Sequence, residues 1–400
     1  CSERVQKMKK RALSPLETCL ERARGAMKAY EHSKNEPRVV QRARVFETYL
    51  EEKTVFILED ELIVGNITSK VRGSAVSGET MSPYVDAELD DPVKDFALRP
   101  YDRFVIRPEE RRELQEVLLP YFRGKTLADY SLERVNAEVK EKAFVGTSSC
   151  PHIPNIGEVS LQRDVGHQMA NYEKVLHKGL KGIREEVEWY MRQLDQPYMH
   201  FGVQQKREFY EAVLITLDAA MAYAERYAHL ARRMAAEETI PKRKRELERI
   251  ALVCERVPSN PARDWWEALQ SVWMTHVLLY CELPGGIHSF GRFDQYMYPF
   301  YKKSVIDGKE MSREEALELL ECWWIKTNEH AMFLDYLASI YTTGQGLSQT
   351  LVIGGQTRDG KDACNEVTML CLEAEEQVGL IQPDIAMRVW AGTPDKYLRK

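Results

Sequence analysis

The sequence lacks a long apolar run. None of its stretches approaches the roughly 18 consecutive apolar residues that a membrane span requires, and its mean hydropathy is -0.45. The opening residues, CSERVQKMKK, also lack the apolar core of a secretory signal. These absences predict a cytoplasmic protein with no membrane partner.

An excess of positive charge is also missing. The 56 Lys and Arg residues are outnumbered by 62 Asp and Glu residues, which gives a net charge of -6 and a pI near 6.0. Nucleic-acid binders usually carry a basic surface, so we expect no nucleic-acid partner. Small molecules and other proteins are the partners that this charge favours.

The eight cysteines form no pattern. They are far apart and include no CxxC pair, which excludes a disulfide framework and a zinc ribbon and predicts reduced thiols. Cys150, His152 and His167 could be imagined together as a metal site. Their spacing matches no standard zinc pattern, so we predict that the chain holds no metal.

Signals for helices outnumber signals for strands. Capping-box patterns begin at Ser14 and Ser312, and the first predicts a helix that runs to about Tyr30. Apolar periodicity predicts longer helices over 169–195, 204–235 and 261–281.

The predicted strands are few. They are a strand pair over 54–66, broken by Glu59-Asp60, and single strands at 350–355 and 384–390. Helices alternate with strands after residue 260, which favours parallel strands joined by helical crossovers. We therefore predict an α/β fold, an α/β barrel with a helical N-terminal layer.

One helix stands out for its apolar surface. Residues 264-DWWEALQSVWMTHVLLYCE-282 are apolar on most of the circumference, which predicts burial on nearly all sides. We interpret His276 on this helix as a hydrogen-bonded core histidine, with a metal or substrate ligand as the alternative.

The turn after this helix is a candidate binding segment. Pro284, Gly285 and Gly286 end the helix, and Ile287, His288, Ser289 and Phe290 follow at the end of that turn. One interpretation is a plain helix–helix corner. The other places these four side chains in a cavity, with the histidine and serine as polar groups in an apolar pocket.

Two further segments carry chemistry-bearing residues. In 162-QRDVGHQ-168, Arg163 is either a surface charge or a planar fork for a carboxylate, sulfonate or phosphate, and His167 could hydrogen-bond or move a proton. Gly354-Gly355 follows a predicted strand but lacks the G-x-G-x-x-G order. A strand-end turn explains these glycines better than a phosphate cradle does.

Four segments together resemble one known family. They are 57-ILEDELIVGN-66, 288-HSFGRFDQYMYPFY-301, 351-LVIGGQTRDGKDACNEVTMLCLEA-374 and 382-QPDIAMRV-389. In this order, and across essentially all 400 residues, the sequence is similar to the N-terminal half of the glycyl radical enzymes, the pyruvate formate-lyase-like family.

The resemblance implies a fold and a mechanism. The fold would be the N-terminal half of a ten-stranded α/β barrel with extensive helical outer layers, with residues 1–400 forming a single domain. A radical S-adenosylmethionine activating enzyme, the implied protein partner, would convert a glycine to a radical, and a cysteine would abstract hydrogen from a small-molecule substrate. No bound cofactor is implied. Both loops, with a catalytic Cys and Glu, are expected beyond Lys400, so the fragment alone would be inactive.

The resemblance also narrows the reaction. Gly166-His167 matches the dehydratases, whose histidine contacts a substrate hydroxyl, whereas His288-Ser289 lies two positions late, and the corresponding positions fall on Gly286 and Ile287. The match at Gly166-His167 favours cleavage of a C–O or other C–X bond in a small hydroxylated substrate, and Arg163 suggests that this substrate is also anionic. The resemblance further implies a homodimer. The alternatives are a formate C-acetyltransferase proper and an inactive scaffold paralogue.

Overall fold

A computed structural model of the chain describes residues 2–80, 85–134, 136–138, 145–146, 159–160, 168–195, 202–341 and 348–400. In the described residues, helices dominate and the strands form three small parallel sheets. Among the residues described, no helix combines the length and apolar character needed to cross a membrane.

The helices of the first part of the chain are mostly short. They are α1 Glu3–Ala12, α2 Glu21–His32, α3 Arg38–Glu52, α4 Val85–Glu88, α5 Pro108–Glu113 with a π-helical continuation at Leu114–Leu118, α6 Leu119–Phe122 and α7 Leu127–Arg134.

The later helices are longer. They are α8 Tyr172–Arg192, α9 Val203–Glu237, α10 Pro241–Arg256, α11 Trp265–Glu282, α12 Phe293–Tyr301 with a π-helical continuation at Lys302–Asp307, α13 Arg313–Lys326, α14 Tyr336–Tyr341, α15 Glu366–Val378 and α16 Asp395–Leu398. The three long helices predicted from periodicity are thus confirmed as α8, α9 and α11. Ser312 caps α13 as predicted, because its side chain accepts from the Glu315 amide.

The strands pair in parallel in three small sheets. They are β1 Leu16–Cys19, β2 Gly73–Ala75, β3 Phe104–Val105, β4 Val145–Gly146, β5 Val159–Ser160, β6 Gly291–Arg292, β7 Leu351–Gly354 and β8 Ile385–Arg388. The sheet orders are β2-β1-β3, β4-β5 and β6-β7-β8. Helix α15 crosses over between β7 and β8, whose register pairs Leu351 with Ile385, so the prediction of parallel strands with helical crossovers is confirmed.

The helix predicted from Ser14 is wrong at its start. Residues 16–19 form β1, and helix α2 begins only at Glu21. The side chain of Glu17 does not cap a helix; it lies 3.3 Å from Arg107. Parallel pairing of β1 with both β2 and β3 outweighs the local capping signal.

The strand pair predicted over 54–66 is also wrong. This segment turns at residues 59–60 and bends at 62–63 without pairing in a sheet, and residues 60–68 are all buried. Side chains take the place of a neighbouring strand: Gln270 accepts from the Val64 amide at 2.9 Å and donates to its carbonyl at 2.7 Å. Trp266 and Trp273 donate to the carbonyls of Leu62 and Gly65. The segment thus has the apolar alternation of a strand, but side chains on neighbouring helices form the backbone hydrogen bonds that a partner strand would otherwise form.

Helix α11 lies at the centre of the core, as its apolar surface predicts. Fifteen of its residues are buried, and Trp265 and Trp273 are at most 1% exposed. Asp264 caps its N-terminus by accepting from the Glu267 amide. Because α11 is packed against other elements on nearly all sides, its position is fixed, and so is the start of the turn that follows it.

Candidate active site

Two arginines hold the C-terminal end of α11. Arg22 donates to the Cys281 carbonyl at 3.0 Å, and Arg42 donates to the Glu282 carbonyl at 2.9 Å. Both arginines form ion pairs with Glu79. Burial alone would raise the pKa of Glu79, but the two guanidinium groups lower it below its usual value. Cations at helix carbonyls that lack internal partners stabilise this end.

The turn that follows is hydrogen-bonded to Gln168. The Gln168 amide donates to the Ile287 carbonyl at 2.8 Å, and the Ser289 amide donates to the Gln168 carbonyl at 2.9 Å. Gln168 and His288 form an isolated parallel bridge. The structure therefore places Gln168, the last residue of one predicted polar segment, beside the turn that carries the other.

Several predicted residues lie outside the described residues. These are Arg163 and His167, together with Cys150 and His152 of the alternative metal site. Their predicted roles stay predictions. The bridge at Gln168 nevertheless links the chain position next to His167 with the turn that carries His288.

The imidazole of His288 is buried in this turn. The residue is 1% exposed, and neither ring nitrogen makes a hydrogen bond of ordinary geometry within the described part of the chain. Burial lowers the pKa of His288 to about 4, and the nearby Leu283 backbone offsets part of that effect. The ring is therefore neutral near pH 7, and such a ring carries one N–H donor and one acceptor nitrogen.

Gly286 makes room for this ring. A Cβ atom at position 286 would lie 2.7 Å from Nε2 of His288 and 2.9 Å from Cε1. The imidazole thus fills the space that a side chain at position 286 would occupy. This matters because position 286 is where the family resemblance expects the histidine of the diol dehydratases.

Burial alternates along the four predicted binding residues. His288 and Phe290 are buried, whereas Ile287 and Ser289 are partly exposed. Phe290 packs against the imidazole of His276 at a centroid distance of 4.0 Å and against Trp323 at 4.6 Å. The structure therefore divides the four side chains between the interior and the partly exposed side of the segment.

His276 is a core histidine, as predicted. It is fully buried, and both ring nitrogens are occupied: Nδ1 lies 2.8 Å from the Tyr172 hydroxyl and Nε2 lies 2.8 Å from Oε1 of Gln349. Nε2 of Gln349 donates to the Thr327 carbonyl, so its Oε1 must accept from His276. The proton of His276 is therefore on Nε2, and the hydroxyl of Tyr172 donates to Nδ1.

Two residues of this region have no sequence prediction. The ring of Tyr280 lies between His288 and His330, with centroid distances of 4.6 Å and 5.3 Å. His330 is 5% exposed, and its ring nitrogens face the carbonyls of Gly73 and Pro284 at 3.0 Å and 3.1 Å. The sequence could have indicated Tyr280 as a neighbour of the site, because it lies one turn after His276 on α11. No sequence pattern around His330 indicates its position beside Tyr280.

The Arg-Phe-Asp-Gln segment fixes the C-terminal end of β7. Arg292 donates to the Gly354 carbonyl at 2.8 Å, and Asp294 accepts from the Gly354 amide at 2.7 Å and from the Thr368 hydroxyl at 2.6 Å. Burial raises the pKa of Asp294, although these hydrogen bonds oppose the change. The segment therefore has a structural role in joining β7 to helix α15.

The Gly354-Gly355 pair allows close packing of the end of β7 against β8. Both residues have positive φ, and a Cβ atom at position 355 would lie 2.9 Å from Cβ of Arg388 on β8. The Gly354 amide already donates to a carboxylate. This agrees with the strand-end turn that we favour over a phosphate cradle.

The described cysteines are unpaired thiols, as predicted for them. Five of the six are buried. Burial raises the pKa of Cys281 to about 11 and that of Cys364 to about 12, so these thiols are protonated near pH 7 and weakly nucleophilic. Within the described ranges, no group of three or more His, Cys, Asp or Glu residues could hold a metal ion.

Comparison with known proteins identifies relatives of the whole chain. An isethionate sulfite-lyase from Desulfovibrio desulfuricans is 34% identical over 382 residues, which are 95% of this chain and 45% of the relative. A (2S)-3-sulfopropanediol dehydratase from Klebsiella oxytoca is 31% identical over 98% of this chain and 46% of the relative. The chain thus spans about half the length of these relatives.

Structural comparison and the family model agree with these relatives. A solved structure concerned with 1,2-propanediol dehydration in Roseburia inulinivorans superimposes with a TM-score of 0.90 and 33% identity, covering 100% of this chain and 46% of that one. This confirms the predicted fold class, part of a glycyl radical enzyme barrel. The model for "Pyruvate formate lyase-like" matches residues 1–400. The chain therefore belongs to the pyruvate formate lyase-like family of glycyl radical enzymes.

Proposed function

We propose that the full-length protein containing this chain is a glycyl radical lyase or dehydratase. It cleaves a C–O or another C–X bond of a small hydroxylated substrate that also carries an anionic group. Two relatives support this proposal, since one is named for sulfite elimination from isethionate and the other for dehydration of a sulfopropanediol.

The observation that carries the proposal is the state of His288. A buried neutral imidazole that makes no hydrogen bond of ordinary geometry to the described residues can accept a hydrogen bond from a substrate hydroxyl or donate one to a substrate oxygen. The turn that holds this ring is bridged to the residue beside His167. A hydroxyl bound between the two histidines would be oriented relative to the carbon that reacts.

The proposal also assigns roles to the other residues predicted from the sequence. Arg163 binds the anionic group through its planar guanidinium fork. His167 contacts the hydroxyl, and Ile287, Ser289 and Phe290 complete the binding surface. Neutral His288 cannot balance a negative charge, so specificity for an anionic substrate depends on Arg163.

The finer features remain part of the proposal. A radical installed on a glycine by a radical S-adenosylmethionine activating enzyme supplies hydrogen-atom abstraction. The catalytic Cys, Glu and Gly lie beyond residue 400, and residues 1–400 form one domain that is inactive alone. The complete protein is a cytoplasmic homodimer. A formate C-acetyltransferase and an inactive scaffold have no supporting observation among the contacts described above.

The test uses the complete polypeptide, activated anaerobically and supplied with isethionate, 3-sulfopropanediol, 1,2-propanediol and glycerol. We expect turnover of a sulfonated substrate, with sulfite or an aldehyde as the product. In Arg163→Ala, KM for that substrate should rise at least about tenfold, because a charge-assisted bidentate contact is worth about 1.5–3 kcal/mol.

Arg163→Lys is the matched control, because it keeps the charge and loses the fork. Its KM for the sulfonated substrate should lie between those of Arg163→Ala and the parent enzyme. An unchanged KM in Arg163→Ala would rule out the anion-binding role. Turnover of glycerol alone would remove the anionic group from the proposal and leave a simple diol dehydratase.

A further inference from the structure

His330 connects three parts of the molecule that are distant in sequence. It lies four residues after α13, its Nδ1 faces the carbonyl of Gly73 on β2, and its Nε2 faces the carbonyl of Pro284. Pro284 belongs to the turn that leads to His288. The ring is buried and packs beside Tyr280, which in turn contacts the ring of His288.

The two contacts of His330 are not equivalent. Both partners are carbonyl oxygens, which only accept, whereas a neutral imidazole has one N–H to donate. The Gly73 carbonyl already accepts from the Ala331 amide at 3.2 Å. In the described residues, the Pro284 carbonyl receives no hydrogen bond other than the one from His330. The bond that depends on His330 is therefore the bond to Pro284.

The Pro284 carbonyl is a sensitive point of the turn. On one side, the helix end is held by Arg22 and Arg42; on the other, Ile287 and Ser289 are held by Gln168. Between these anchors, His330 provides a side-chain contact to the backbone just before Gly286 and His288. A small shift of this backbone moves the imidazole of His288, because that ring folds over Gly286.

We propose that His330 is a positioning residue, whose Nε2–H holds the Pro284 carbonyl and so sets the position of His288 at the candidate site. Its effect on turnover rests on the proposed function. Its effect on the 284–290 turn does not. His330 itself contacts neither the substrate nor the reacting atoms.

Two substitutions of the complete polypeptide separate the two contacts. His330→Gln places an amide N–H near the position of Nε2 and can keep the bond to Pro284. His330→Asn places its amide near Nδ1 and can keep only the bond to Gly73. We expect kcat/KM to stay within about threefold in the Gln variant and to fall about 10- to 100-fold in the Asn variant, since small misplacement of a binding group has effects of this size.

Hydrogen exchange gives a readout that is independent of turnover. The Gly286 amide donates to the Leu283 carbonyl, and the amides of Ser289 and Phe290 donate to the carbonyls of Gln168 and Thr350. Their exchange should accelerate in His330→Asn and stay near the parent rate in His330→Gln. If the protein turns over none of the tested substrates, this difference still tests the positioning role, while the proposed function fails separately.

Three results would overturn the inference. One is equal loss of activity in both variants with equal loss of stability, which a purely structural role would produce. Another is unchanged exchange of the turn in His330→Asn. The third applies if neither variant folds: nitrogen NMR of the parent protein would then show the His330 ring protonated on Nδ1 alone, a form that cannot donate to the Pro284 carbonyl.

Discussion

Position 286 shows how one residue controls the candidate site. Because a Cβ atom there would lie 2.7 Å from Nε2 of His288, the side chain at this position and the imidazole compete for the same space. The atom that must yield is at the end of a side chain, so the ring moves and the backbone does not. Glycine at 286 and histidine at 288 therefore act as a pair.

We predict that Gly286→Ala lowers activity without unfolding the protein. The displaced imidazole should reduce kcat/KM about tenfold or more, while the free energy of unfolding changes by less than about 1 kcal/mol. Kinetics and urea unfolding of the complete polypeptide measure both. Gly182→Ala is the control, since its Cβ would meet only Cβ of Lys178 in the same helix, at 3.2 Å. Full activity in Gly286→Ala would contradict the pairing with His288.

At the scale of elements, the segment 54–68 is the clearest departure from local expectation. It has the apolar alternation of a strand, yet it turns and bends and pairs with no strand of the described residues. Gln270, the tryptophans of α11 and two tyrosines of α9, Tyr223 and Tyr227, satisfy its backbone. The element is defined by the helices around it and would not persist without them.

Gln270→Met tests this account of the segment. The substitution removes both hydrogen bonds to Val64 and leaves a buried amide and a buried carbonyl without partners, so we expect about 2–4 kcal/mol of destabilisation. Urea unfolding followed by tryptophan fluorescence measures the change. Gln205→Met, at an exposed position of α9, should stay within about 0.5 kcal/mol of the parent. A similar small effect of Gln270→Met would mean that another group supports the segment.

At the scale of the whole molecule, three buried histidines link stability to pH. Burial lowers the pKa of His276 to about 3 and those of His288 and His330 to about 4, below the value of an unfolded histidine. The unfolded chain therefore binds more protons as pH falls below about 6.5, and stability is lost. Glu329 acts in the opposite direction, because burial raises its pKa to about 7.

We predict that the free energy of unfolding falls by about 2 kcal/mol between pH 7.5 and 5.5, since the loss from the three histidines exceeds the opposing contribution of buried carboxyls such as Glu329. Urea unfolding at the two pH values measures it. In His276→Gln the fall should be smaller by about 1.4 kcal/mol, whereas exposed His229→Gln should leave it unchanged. Higher stability at pH 5.5 would mean that the histidines titrate normally in the folded state.

Much of the architecture was predictable from local patterns. The long helices α8, α9 and α11 have strong apolar periodicity, and β7 and β8 are short apolar runs separated by a helix. The beginning of β1 was not predictable. Its capping-box pattern at Ser14 is a local signal, and parallel pairing with β2 and β3 depends on residues far away in sequence.

The sequence by itself determined the class of the protein, its long helices, its parallel strands and its family, because periodicity and motif order are local properties of the chain. It also indicated His276 as a core residue, and it predicts a binding role for residues 287–290. Only the tertiary structure decided that Gln168 bridges to His288, that the imidazole fills the space over Gly286, and that His330 reaches Pro284. The physical reason is that these contacts join residues from separate elements, and no local pattern encodes the distance between them.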